Sequence, residues 1–145
     1  MKSLAASWQF WALASAGFAA LTAIFAKVGV ANVNSDFATL IRTVVILGVL
    51  LALVTATRQW QPLGSIGHRS LLFLVLSGLA TGASWLCYFR ALKLGDAARV
   101  APLDKLSVVL VAVFGVAFLG ERLSFVNWAG VLMVAGGVIL LTLRA

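Results

Sequence analysis

The hydrophobic residues fall into five long runs separated by short polar segments. Each run approaches the roughly 20 residues that an α-helix needs to cross the hydrocarbon core of a bilayer. The pattern therefore predicts an all-α membrane protein with five transmembrane helices. We place them at approximately residues 8–27, 37–57, 70–91, 100–119 and 125–143.

The polar segments between the runs contain residues that commonly end helices. They include Asn32, Asn34 and Ser35 in the first segment, Pro62, Gly64 and Gly67 in the second, Gly95 and Asp96 in the third, and Gly120, Glu121 and Arg122 in the fourth. Because no segment is long enough for a separate domain, we expect one transmembrane domain over residues 1–145. The first run could instead be a signal peptide, but its apolar length exceeds the usual region of about 7 to 15 residues.

The composition favours a membrane protein over the soluble classes. Of the 145 residues, 63% are hydrophobic and only 10% are charged, so folding in water would leave too much apolar surface exposed. The lipid bilayer is therefore an expected partner. A net charge of +7 could indicate nucleic-acid binding, but the basic residues stand singly between apolar runs. This scatter is typical of membrane flanks, so we expect no nucleic-acid partner.

The chain lacks the residues for most metal or catalytic sites. It has one cysteine, Cys87, and one histidine, His68, so neither an intrachain disulfide nor a Cys/His metal cluster can be assembled. Only four acidic residues accompany them, which leaves no set of nucleophile, base and orienting acid. We therefore expect no enzyme activity, no metal and no cofactor. A simple channel is less favoured because no ring of filter residues is evident.

An odd number of spans places the two termini on opposite faces of the membrane. Side one holds the N-terminus and the loops after the second and fourth helices, with Lys2, Arg58, Arg69 and Arg122. Side two holds Lys27, Arg90, Lys93, Arg99 and Arg144. Leaving aside the deeper Arg42 and Lys105, the tally is four against five, whereas orientation normally follows a clear Lys/Arg excess on the cytoplasmic side. Either another signal orients the chain, or it inserts both ways.

Several ionisable residues lie within or at the ends of the predicted spans. An ionisable group costs about 2.5–3.5 kcal/mol at mid-bilayer on the insertion scale, so such residues are candidates for function. They all lie toward side two and are Lys27, Arg42, Arg90, Asp104 and Lys105. Four of the five tryptophans fall toward side one, where an aromatic belt would place them, and Trp85 is the exception.

The third predicted helix has a narrow polar stripe. Ser77, Thr81, Ser84 and Tyr88 recur at helical spacing, with Trp85 at the edge of the stripe. Such a stripe faces either a neighbouring helix or a water-filled cavity. In the second case these side chains line a transport pathway.

Asp104 and Lys105 begin the fourth apolar run and allow two interpretations. Neighbouring residues on a helix point about 100° apart, so we do not expect them to pair with each other. If Pro102 is a first-turn proline, Asp104 complements the helix dipole and Lys105 extends to the interface.

Alternatively, Asp104 compensates one of the cations Arg42, Arg90 or Lys27, and Lys105 is held for a ligand. On this interpretation the candidate substrate-binding or pathway residues are Arg42, Ser77, Thr81, Ser84, Trp85, Tyr88, Arg90, Asp104 and Lys105.

Three segments resemble a known family, namely RALKLGDAARVAPLDKLS, FLGERLS and WAGVLMVAGGVILL. They resemble the EamA domain of the drug/metabolite transporter superfamily, particularly its short bacterial members with one five-helix unit. The likeness covers essentially the whole chain and is most specific at Gly120-Glu121-Arg122. Larger relatives carry two such units in opposite orientation, the inverted repeat that supports alternating access.

The resemblance implies a secondary transporter, in particular an exporter, of a small metabolite or drug in the bacterial inner membrane. With one unit, the chain should work as an antiparallel homodimer or with a related five-helix protein. The excess positive charge favours an anionic or zwitterionic substrate. The alternative is a non-transporting subunit, or a lipid-carrier flippase component, that pairs with another small membrane protein.

Overall fold

The computed structural model describes residues 7–143, so Lys2 and Arg144 of the charge tally lie outside the described residues. Within this range all regular structure is helical. Five of its helical segments are long and apolar enough to cross a membrane. The predicted all-α fold with five spans is therefore confirmed.

The helices agree closely with the predicted spans, apart from the fourth. They are α1 (Trp8–Gly29), α2 (Ser35–Ala56), α3 (His68–Leu94), α4 (Ala97–Asp104), α5 (Ser107–Phe118) and α6 (Phe125–Thr142), with a short 3₁₀ turn at Leu63–Ser65 before α3. The ends of α1, α2, α3 and α6 lie within three residues of the predicted ends. The predicted fourth helix consists of two helices, α4 and α5.

The chain divides after Leu94 into two compact units. In the first unit, α3 packs against both α1 and α2. Its small core contains Ala23, Ala26, Val30, Phe89 and Leu92. In the second unit, α6 packs against α4 and α5.

Most apolar side chains point outward from these units. No more than 6% of the most apolar stretch of any span is buried. In lipid, apolar side chains gain little from leaving the hydrocarbon, so helices need not bury them against one another. The exposed apolar surface thus agrees with a membrane environment.

Local signals in the polar segments define where helices begin and end. The Asn34 side chain accepts hydrogen bonds from the backbone N–H groups of Asp36 and Phe37, as an N-cap does. Ser124 caps α6 in the same way through the N–H of Asn127. At the end of α5, Gly120 has a φ of 68°, a conformation that glycine adopts at no steric cost. The following N–H, of Glu121, donates to the Gly115 carbonyl at 3.0 Å and closes the turn.

The structure corrects the predicted start of the fourth span. One of the two interpretations placed Pro102 and Asp104 in the first turn, but α4 begins at Ala97, and Asp104 is its last residue. Pro102 lies inside α4 and has no N–H to donate to the carbonyl four residues earlier. Backbone bonds at the break join residues three apart, from Lys105 N to Pro102 O at 2.9 Å and from Leu106 N to Leu103 O at 3.1 Å. Asp104 and Lys105 therefore lie at an interruption of the span, and Asp104 is not a first-turn acid.

Candidate functional site

Two lysines join the helix ends of the first unit. Lys27, near the end of α1, donates from Nζ to the carbonyl of Leu92 near the end of α3 at 2.7 Å. Lys93 donates to the carbonyl of Val33, in the segment between α1 and α2, also at 2.7 Å. Carbonyls at helix ends lack helical partners and carry partial negative charge, so they attract cations. Both lysines therefore hold the same end of the three-helix unit together.

Arg90 forms a two-point ion pair with Asp36 at this end of the unit. Its Nε lies 3.1 Å from Oδ1, and its Nη2 lies 2.8 Å from Oδ2. Such fork-to-fork pairing is the strong form of an arginine–carboxylate interaction. Asp36 is also the second residue of α2, where a carboxylate complements the helix dipole. Of the three cations proposed as partners of Asp104, Arg90 therefore already has an acid partner.

Arg42 is held by aromatic rings. Its guanidinium carbon lies 4.0 Å from the centroid of the Trp85 ring and 5.4 Å from that of Phe89. These are cation–π distances. Asp36 is the sole acid among residues 7–94, and Arg90 occupies both of its carboxylate oxygens. Within the first unit, Arg42 therefore has no carboxylate partner.

Arg42 lines a groove between α1, α2 and α3. The cavity has a volume of about 360 Å³, within the range of small-molecule sites. It is lined by Thr22, Phe25, Ala26, Gly29, Val33, Ala38, Ile41, Arg42 and Phe89. Arg42 contributes the one charged side chain and Thr22 one hydroxyl, and the other side chains are apolar. The groove can thus hold an apolar body and one group that interacts with a cation.

The structure separates the polar stripe of the third predicted helix into two parts. Trp85 and Tyr88 are half-buried, and Trp85 contacts Arg42. Ser77, Thr81 and Ser84 are exposed on the first unit. The Thr81 hydroxyl donates to the Ser77 carbonyl at 2.8 Å, a bond within the helix. Only the end of the stripe nearest Arg42 is therefore joined to the groove.

Asp104 and Lys105 do form a contact, contrary to our expectation. Lys105 Nζ lies 3.4 Å from Asp104 Oδ2, because the long lysine side chain turns back to its neighbour where α4 ends. Both side chains are more than one-third exposed, and pairs of this kind contribute little stability. The two residues belong to the second unit. Pairing of Asp104 with Arg42 stays a prediction.

Sequence reasoning missed three side chains of this region, Asp36, Phe89 and Thr22. Asp36 could have been found, since it is the first acid in the chain and follows a good N-cap residue, Asn34. Phe89 also had a signal, because it follows Trp85 by four residues and so shares its helix face. No signal in the sequence pairs Thr22 of α1 with Arg42 of α2.

Comparison with known proteins agrees with the five-helix fold and the earlier resemblance. The chain matches the EamA-like transporter family over residues 6–143. It is 73% identical over 135 residues to a Sinorhizobium sp protein named "Uncharacterized transporter in cobO 3'region", a match that covers 93% of this chain and 96% of that protein. No solved structure matches the chain. With its five apolar helices, the protein is a multi-pass membrane protein, and it belongs to the EamA-like transporter family.

Proposed function

We propose that the protein is a secondary transporter that exports a small metabolite or drug across the bacterial inner membrane. The observation that carries this proposal is the family match over residues 6–143. It is supported by the similarity to a protein of matching length that is named a transporter. An open groove with a single cation in its wall agrees with a small, reversibly bound solute.

The working unit that we propose is an antiparallel homodimer with alternating access. Two oppositely oriented copies of a five-helix chain reproduce the inverted repeat of larger transporters, whose substrate sites lie near the bilayer midplane between repeats. The nearly even distribution of basic residues, four against five, supports insertion in both orientations. The exposed apolar faces leave ample surface for contact with a second copy.

Reconstitution tests the transport function directly. Purified protein in liposomes should move at least one member of a panel of anionic, zwitterionic and cationic metabolites down an imposed gradient. Liposomes of the same lipid without protein provide the control. If no member of the panel moves, but addition of a second small membrane protein produces transport, the chain is a subunit of a mixed complex. That result would replace the homodimer proposal with the alternative of a non-transporting partner.

The pathway that we propose follows the polar stripe of α3. In a chain in which Cys87 is replaced by serine, the Ser77→Cys, Thr81→Cys and Ser84→Cys variants should react with a membrane-impermeant thiol reagent, because they face water in the pathway. The matched control is Leu79→Cys, since Leu79 is 67% exposed on the isolated chain and should face lipid. Equally weak labelling at all four positions would indicate that the stripe serves helix packing.

A further inference from the structure

Arg42 differs in what it contacts from Lys27, Arg90 and Lys93, the three other cations at its end of the first unit. Lys27 and Lys93 donate to backbone carbonyls, and Arg90 is paired with Asp36. In residues 7–94, the guanidinium of Arg42 has aromatic contacts but no hydrogen bond and no carboxylate. Within the first unit, its directional N–H donors are therefore available to another molecule.

A half-buried cation in an apolar wall requires compensation. The ring of Trp85 supplies part of it through a cation–π contact. The Trp85 ring offers no carboxylate or carbonyl oxygen to the guanidinium N–H groups. Those groups form a fork that matches the two oxygens of a carboxylate. The electrostatics of the groove thus favour an anion with a planar, two-oxygen head group.

The other side chains that line the groove indicate what the rest of the ligand should be. Apart from Arg42 and the hydroxyl of Thr22, the lining side chains, including Phe25 and Phe89, are apolar. A small hydrated ion such as chloride would gain nothing from these walls. An aromatic or aliphatic body would be removed from water against them, which is favourable in proportion to its apolar area.

From these contacts we propose that the groove between α1, α2 and α3 binds a small organic monocarboxylate with a flat or apolar body. The carboxylate lies on Arg42, and the body lies against the apolar side chains of α1 and α2. The proposal deepens the proposed function, on which it rests for its place in transport, but binding itself can be measured without transport.

The test measures binding of three fluorinated probes to the purified protein by ¹⁹F NMR. They are 4-fluorobenzoate, its neutral analogue 4-fluorobenzamide and the cation 4-fluorobenzylammonium. We expect saturable binding of 4-fluorobenzoate and at least about tenfold weaker binding of the other two, because only the anion satisfies Arg42. Arg42→Gln should weaken 4-fluorobenzoate binding about ten- to hundredfold, and Arg42→Lys should weaken it less.

Two further variants separate loss of the binding site from loss of folded protein. Ala38→Leu leaves Arg42 unchanged but fills part of the groove, so it should also weaken 4-fluorobenzoate binding. Arg69→Gln removes a cation of α3 whose guanidinium carbon lies 6.0 Å from the centroid of the Phe73 ring and which does not line the groove, so it should leave binding unchanged. Gel filtration establishes that each variant is folded.

The outcomes separate the site from the transport function. Equal affinity for the three probes, or unchanged 4-fluorobenzoate binding in folded Arg42→Gln, would overturn the carboxylate site. Arg42-dependent binding without transport in liposomes would retain the site and reject the transporter proposal. Transport without Arg42-dependent binding would reject the site alone.

Discussion

Replacing Asp36 by asparagine should destabilise the three-helix unit measurably, because Arg90 loses its charged partner and one of two hydrogen bonds. The side chains of Arg90 and Asp36 are 62% and 47% exposed, so the cost should fall well below that of breaking a fully buried pair. Unfolding of the purified protein by sodium dodecyl sulfate, followed by circular dichroism, measures the difference. A lower yield of folded protein should accompany it.

A double-mutant cycle shows whether the loss comes from the ion pair itself. Arg90→Gln alone should also be destabilising, and Asp36→Asn with Arg90→Gln should cost less than the sum of the two single changes. Exchanging the two charges should recover only part of the stability, because arginine near the start of α2 opposes the helix dipole. Asp96→Asn serves as the matched control, since the Asp96 side chain makes no capping bond in α4. Strict additivity of the two single changes would contradict the pairing.

Reporter proteins fused to the C-terminus should reveal both orientations of the wild-type chain in the membrane. The physical reason is the nearly even tally of four basic residues on side one and five on side two. Changing Leu63, Gly64 and Ser65 together to lysine raises the side-one tally to seven. This loop should then remain on the cytoplasmic side in nearly all molecules. Paired cytoplasmic and periplasmic reporters on the same chain measure the two populations.

The matched control places glutamine at the same three positions. It preserves polarity and approximate size but adds no charge, so both orientations should persist. The loop tolerates such changes sterically, because a Cβ at Gly64 meets no atom within 4 Å and Leu63 is exposed. A single orientation of the wild-type chain would reject dual topology and, with it, the antiparallel homodimer of one chain.

The sequence by itself determined the number and approximate position of the spans. In hydrocarbon, every backbone N–H and C=O must be satisfied within the segment, so a sufficiently long apolar run becomes a helix largely irrespective of its neighbours. Helix ends were also local, because Asn34 and Ser124 cap helices through bonds to residues two or three positions away. The ends of α1, α2, α3 and α6 lie within three residues of their predicted ends.

The interruption of the helix at Asp104 and Lys105 was not predicted from the sequence. Apolar length does not distinguish one helix from two consecutive helices, and a proline is tolerated in a first turn but disfavoured farther along. The decisive fact was that α4 begins at Ala97, three residues before the predicted start, which places Pro102 well inside it. One local boundary therefore changed the position of both charged residues.

Only the tertiary structure decided which charges meet. Asp36 and Arg90 are 54 residues apart in the chain, and four cations near the same end of the first unit could have used that single carboxylate. The distance from each cation to Asp36 depends on how α1, α2 and α3 are rotated about their axes. Packing of buried side chains such as Phe89 and Leu92 determines that rotation. Arg90 pairs with Asp36, and Lys27 and Lys93 donate to backbone carbonyls. Arg42 instead contacts the ring of Trp85 at the wall of the groove. A linear pattern of charges contains no information on that rotation, so the candidate site emerged only from the folded helices.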